Sequence, residues 1–197
     1  MIVKRPELLS KLRMAYDARN FQIDEVNIFG IRFPEAQDQD IWNDILGIWT
    51  DHNIYCWQGT TDPGRHATEN KEGGAAHLCL GYHKDIWQIG IHGASIPAFA
   101  HPALVQTGNV CRIWRDVNKD YEDNDNKIET GYFGINFHRA SKINNVETIG
   151  FYGAGCQVTQ DIQDFEFVLN LLLNTAKFKM NKKCCFSYTL FDKSILE

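Results

Sequence analysis

The 197-residue chain has no apolar run long enough to span a bilayer, and its start, MIVKRPELLSKLRMAYDARN, lacks the hydrophobic stretch of a secretory leader. Synthesis in the cytoplasm is therefore expected, with any periplasmic or cell-wall target reached only after release or delivery. An excess of positive charge is also missing. The net charge is -5 and the pI near 5.8, which argues against nucleic-acid binding as the main activity. No Cys-x-x-Cys pair and no helical His-Glu-x-x-His is present, so the common zinc signatures are absent. Proline is scarce, at five residues, and no repeat, linker or low-complexity tract divides the chain. A single catalytic domain over 1–197 is expected, with a helical segment at 1–22 and a β-rich core at 23–197.

Six cysteines are scattered along the chain rather than grouped as a disulfide framework. Cys184 and Cys185 are adjacent, so in an extended strand they would point to opposite faces. Reduced thiols are the expectation.

What is present is apolar and aromatic: 44% hydrophobic residues, with five Trp, seven Tyr and twelve Phe, enough for a real core. PELLSKLRMAYDARN places Leu8, Leu9, Leu12 and Tyr16 on one helical face, with Pro6 in the first turn. VNIFGIRF reads as a strand. DIWNDILGIWTDHNIYCWQG reads as two strands around Asp51-His52-Asn53, although its first half also fits a helix, and TTDPGR closes it with a turn. AAHLCLGYH, IWQIGIHG, PALVQTGNVCRIWRD and GYFGINFH continue as short strands punctuated by glycine. DIQDFEFVLNLLLNTAKF has Phe165, Val168, Leu169, Leu172 and Leu173 at helical spacing behind acidic residues, and KKCCFSYTLFDK ends the chain as a strand. The fold class expected is α+β, a β-rich mixed or antiparallel sheet with an N-terminal helix and a helix after Cys156.

The chemistry concentrates in GINFHRASKINNVETIGFYGAGCQV. His138 ends a strand eighteen positions before Cys156, which follows Gly155 in a turn of small residues. A cysteine nucleophile needs a base to take its proton and backbone N–H groups to hold an oxyanion. Glycine beside it lets the backbone approach a substrate without a Cβ in the way. Cys56 and Cys111 lie within apolar strand patterns and read as packing residues.

These residues resemble the catalytic motif of the L,D-transpeptidase catalytic-domain family, cysteine enzymes of peptidoglycan. That motif is a histidine, a gap, then Ser/Thr-His-Gly-Cys, usually with arginine two positions on. His138, Gly155 and Cys156 match its base, glycine and nucleophile. Gly153 stands in place of Ser/Thr, Ala154 in place of the second histidine, and Val158 in place of the arginine. The resemblance implies attack of Cys156 on a stem-peptide carbonyl, a thioester intermediate, and no cofactor. Arg139, Gly153, Ala154, Gln157 and His92 would then line the substrate site. The segments NIFGIR, TTDPGR, ALVQ, RDVNKD and GINFHRA also resemble phage-type lysis proteins. A protein delivered without its own export signal is expected to degrade a wall rather than maintain one, so hydrolysis is the expected outcome.

Other readings stay open. His92, followed by glycine at a strand end, competes with His138 as base. His77, His83, His92 and His101 together suggest a zinc-dependent hydrolase. A catalytically silent wall-binding module is the third alternative. Asp116, Asn118 and Asp120 alternate like the start of a calcium loop, with Asp123 or Asp125 as further ligands. Tyr121 and Lys127 stand where such a loop needs glycine and glutamate, so a solvated hairpin tip is the plainer expectation.

Overall fold

The computed structural model describes residues 6–33, 40–125, 127–143 and 145–197. It is a mixed α+β fold, rich in strands and with few helices. The elements begin with α1 (Pro6–Arg19), β1 (Asn27–Arg32), β2 (Asp44–Trp49), β3 (Ile54–Thr60), α2 (Arg65–Asn70) and β4 (Ala75–Leu78). They continue with β5 (Gly81–His92), β6 (His101–Val105), β7 (Cys111–Asp116), β8 (Ile128–Gly131), β9 (Phe137–Arg139) and β10 (Gln157–Thr159). The chain ends with α3 (Ile162–Leu173), α4 (Ala176–Met180), β11 (Phe186–Asp192) and a 3₁₀ turn.

Eight strands pair in the order β1-β11-β5-β6-β9-β10-β3-β2, and β2 pairs back onto β1, closing a barrel. A second sheet of three strands, β4-β7-β8, lies apart from that ring. Most pairs are antiparallel, but β1 runs parallel to β11 and β9 parallel to β10. Parallel pairing requires a long connection, and both examples have one.

Alternation along β1 explains how the barrel is filled and covered. Ile28 joins Leu46, Ile48, Trp57, Trp87, Tyr188 and Leu190 in the main core, whereas its neighbours Phe29 and Ile31 pack on the other face with Trp49, Ile54 and Phe191. That second face is covered by Leu8, Leu12 and Tyr16 of α1. The helical stripe read from the sequence is thus the stripe that is buried, and Tyr16 shares a 2.6 Å hydroxyl hydrogen bond with Thr189 of β11. Phe165, Val168 and Leu172 of α3 enter the main core, with Phe165 edge-on to Phe137.

Several boundaries differ from the expectation. Residues 44–49 form a strand and not a helix, because β2 pairs along its whole length with both β1 and β3. AAHLCLGYH splits at Cys79 and Leu80 into β4 and β5, which belong to different sheets. PALVQTGNVCRIWRD splits between sheets in the same way. In GYFGINFH only Gly131, which ends β8, and the final Phe137 and His138 are strand, since residues 132–136 hold their position through Gln106 and Trp87 rather than a ladder: the Gln106 amide oxygen accepts the N–H groups of Phe133 and Ile135, and the Trp87 indole donates to the Ile135 carbonyl. Cys184 and Cys185 precede the last strand, which begins at Phe186.

Gly30 shows how tight the barrel interior is. A Cβ built there would lie 1.9 Å from the Tyr188 hydroxyl oxygen, so the tyrosine ring occupies space that any other residue at 30 would claim. Gly30→Ala is expected to destabilise the fold by about 1–3 kcal/mol through overpacking. The Gly30→Ala, Tyr188→Phe double variant should cost less than the sum of the two single changes, because it removes the clashing oxygen. Urea unfolding of the four proteins measures the coupling.

Candidate active site

Parallel pairing of β9 with β10 brings His138 and Cys156 together. Val158 is opposite His138 and Gln157 opposite Phe137, and Gln157 N–H donates to the Asn136 carbonyl at 2.8 Å. Continuing that register places Cys156 opposite Asn136. Side chains two apart share a strand face, so Asn136, His138 and Cys156 fall on one side of this pair. The ring nitrogens of His92 and His138 and the Cys156 sulfur come within 4.8 Å of one another.

Each group is held by neighbours. Cys156 Sγ accepts from Asn136 N–H and donates to the Gly134 carbonyl, both at 3.4 Å. The His138 Nδ1–H donates to the carbonyl of Arg139 at 2.7 Å, which leaves Nε2 with its lone pair. That Nε2 is buried and has no hydrogen-bond partner among the described residues. His92 stacks on His138 with centroids 4.0 Å apart and planes 22° apart, and His101 stands edge-on to His138 at 5.4 Å.

Asn136 was not anticipated from the sequence. Its side-chain oxygen accepts Gln106 N–H at 2.8 Å, which turns its amide NH₂ toward His92 Nδ1 at 2.9 Å. His92 therefore carries its proton on Nε2 when neutral. The only available hint was its position two residues before His138. The missed residue is an orienting group for one imidazole, while the other keeps an unengaged base nitrogen.

Burial sets the resting charge state. It pushes the Cys156 thiol up to about 11, against a smaller opposing effect of the Asn136 N–H. Burial likewise holds His138 well below the usual histidine range, helped by neighbouring His92. The resting pair is a neutral thiol beside a neutral imidazole, not a preformed ion pair.

The remaining expected site residues take varied positions. Gly155 adopts φ +107° and packs so closely on β4 that a Cβ would lie 2.2 Å from the Ala76 carbonyl oxygen. Gly153 is buried, and its carbonyl accepts Gly64 N–H at 2.9 Å. Ala154 is exposed beside them. Gln157 is fully buried, with its side-chain oxygen accepting the Tyr188 hydroxyl at 2.6 Å, so its amide faces the core. Arg139 is half-buried and donates to the Ala140 carbonyl.

The proposed zinc histidines do not come together: His77 bonds Asp62, and His83 bonds the Cys79 carbonyl, while only His92 and His101 adjoin each other. A different metal-capable set, His92, His138 and Cys156, is the one grouping of three such side chains found among the described residues. A Cys-His-His set suits zinc. Two features fit it poorly: the His92 Nδ1 lone pair is engaged by Asn136, and the near-parallel imidazoles do not converge on a point.

At the hairpin joining β7 to β8, Asp116 accepts the N–H groups of Asp120 and Tyr121, and Asp125 accepts those of Val117 and Asn118. Asn118 and Asn124 donate to Asp120. These carboxylates thus organise the turn itself. Comparison with protein families, with curated proteins and with solved structures gives no match.

The charge states lead to a direct measurement. Cys156 is expected to resist iodoacetamide at neutral pH and to become reactive only toward pH 11, whereas Cys79 and Cys185 are less buried and more open to the reagent. Peptide mass spectrometry of alkylated protein across pH gives the order. His138 acts on stability in the acid direction: its native form binds a proton less readily than an unfolded histidine of pKa ~6.5, so its contribution is lost as pH falls below that value.

Proposed function

We propose that the chain is a cysteine-dependent acyl hydrolase in which Cys156 is the nucleophile and His138 the general base. The observation that carries this reading is the buried Cys156 thiol beside an imidazole whose Nε2 lone pair is left unengaged by the Arg139 carbonyl. Acyl transfer to a thiol requires a proton acceptor within reach, already in the right tautomer.

Substrate binding turns the thiol from the Gly134 carbonyl toward His138. Sulfur attacks the amide carbonyl carbon while its proton moves to Nε2, so no free thiolate accumulates. The resulting oxyanion is held by backbone N–H groups at the Gly155–Cys156 turn, each worth on the order of 3 kcal/mol. Collapse breaks the carbon–nitrogen bond, and the departing amine takes the proton from His138. Water then attacks the thioester, giving up its proton to His138, and the thiol leaves as the acid is released.

The substrate class rests on the order and spacing of His138, Gly155 and Cys156, which resemble the L,D-transpeptidase motif and point to stem peptides of peptidoglycan. Hydrolysis is favoured over transfer to an amine by the resemblance to lysis proteins, with the wall met after release or delivery. A zinc hydrolase built on His92, His138 and Cys156 is the second reading, favoured by the closeness of those three side chains. A silent wall-binding module is the third.

Incubation with purified peptidoglycan, followed by mass spectrometry of the muropeptides, separates these readings. Cleavage should fall by at least about 100-fold in Cys156→Ser and in His138→Ala, and should survive a chelator. The cleavage rate should show no acid limb near pH 6.5, because His138 stays neutral below it. Full activity in Cys156→Ser rejects the proposal, loss of activity on chelation favours the metal reading, and binding without cleavage favours the silent module.

A further inference from the structure

A second constellation lies away from Cys156, where the mouth of the barrel meets the small sheet. Here a cleft of about 610 Å³ is lined by residues of both, including Arg32, Asp62, His77 and Trp114. That volume is within the range of small-molecule sites.

His77 forms part of its wall and is only 2% exposed. Its Nδ1 meets Asp62 Oδ1 at 2.8 Å, and its ring stacks on Trp114 at 3.7 Å with planes 11° apart. The same Asp62 oxygen receives Arg32 Nε at 2.9 Å. Arg32 is otherwise engaged with the Leu78 and Thr61 carbonyls at 2.9 and 2.7 Å, so it fixes Asp62 rather than reaching for a ligand.

Asp62 is held as a carboxylate: burial opposes that charge, and the Arg32 cation with the His77 hydrogen bond outweighs it. A carboxylate only accepts, so His77 Nδ1 carries the proton. Burial also favours the neutral ring over the cation. Nε2 is then a bare acceptor, buried and with no hydrogen-bond partner among the described residues. An unsatisfied buried acceptor is costly, and it is complemented only by a donor.

The remaining wall defines what else a ligand must carry. Phe33, Leu80 and Ile128 supply apolar surface. Arg112 is outnumbered in the lining by Glu122, Asp123 and Asp192, which leaves the cleft acidic once Arg32 and Asp62 are paired off. An anion would be repelled there, whereas a neutral or cationic group would not.

We infer that this cleft is a second ligand site, distinct from the Cys156 centre, for a neutral or cationic small molecule with an apolar body and a hydroxyl or amide N–H that donates to His77 Nε2. The inference stands independently of the acyl-hydrolase reading. Asp62 sets the tautomer, Trp114 fixes the ring plane, and Arg32 is the positioning residue for Asp62.

Three related probes test each part of this description: tyramine has a phenol and an ammonium, phenethylamine lacks the phenol, and 4-hydroxyphenylacetate replaces the ammonium with a carboxylate. Titration is followed by the imidazole ¹⁵N resonances of His77 in the wild-type chain, assigned by their loss in His77→Gln. Tyramine should move Nε2 saturably, and phenethylamine should bind about fivefold more weakly, the scale of one lost neutral hydrogen bond. 4-Hydroxyphenylacetate should bind more weakly than tyramine. The Glu122→Gln, Asp123→Asn double variant changes only exposed side chains and should narrow that difference. The proposal is overturned if tyramine leaves Nε2 unmoved, if removing the phenol costs nothing, or if the anionic probe binds as well as tyramine.

Discussion

The parallel contact between β9 and β10 is the constraint on which the candidate active site depends. It spans only three register pairs, yet it sets Asn136, His138 and Cys156 on one face although the chain between His138 and Cys156 makes a long excursion. A shift of one residue in that register would turn Cys156 to the opposite face from His138. The register is secured on both sides by buried groups. Phe137 and Val158 are fully buried, Gln157 is tied to Tyr188 across the barrel, and Trp87 holds the Ile135 carbonyl. Gly155 completes the approach, because its positive φ and missing Cβ let the turn settle against Ala76.

The same burial that fixes the geometry suppresses charge. A thiolate next to an imidazolium would have to be stabilised in surroundings that disfavour both ions, and among the described residues no carboxylate bonds the His92 or His138 ring. For the proposed reaction, the arrangement therefore suits proton transfer during attack rather than a standing ion pair. His92 and His138 are close but differ in what holds them: Asn136 occupies one lone pair, and the Arg139 carbonyl frees the other. This asymmetry, which sequence distance did not show, is what sets His138 apart from His92 as the proposed base.

Strand β4 connects the two polar centres. Ala76 packs against the Gly155 turn, and the next residue, His77, makes the Asp62 pair at the cleft. Successive residues of a strand face opposite sides, so one short strand serves the cysteine turn through its backbone and the cleft through a side chain. The Arg32–Asp62–His77 chain also fastens the small sheet to the end of β1. That fastening is consistent with a cluster that is buried yet lines a cleft.

Much of the fold was legible locally. The stripe Leu8, Leu12 and Tyr16 is buried as its spacing requires, Phe165, Val168 and Leu172 face the core from α3, and the runs in VNIFGIRF and DILGIW are strands. Splitting of the glycine-punctuated segments between two sheets was not legible, because partner choice depends on distant strands and short apolar runs fit either sheet. At the site, the sequence by itself singled out Cys156 and His138 through residue type, order and a small-residue turn. Only the tertiary structure placed Asn136 beside His92, turned Gln157 into the core, separated His77 and His83 from His92 and His101, and paired His77 with Asp62. The physical reason is that tautomer, burial and charge state are set by groups far away in the chain, which local spacing does not encode.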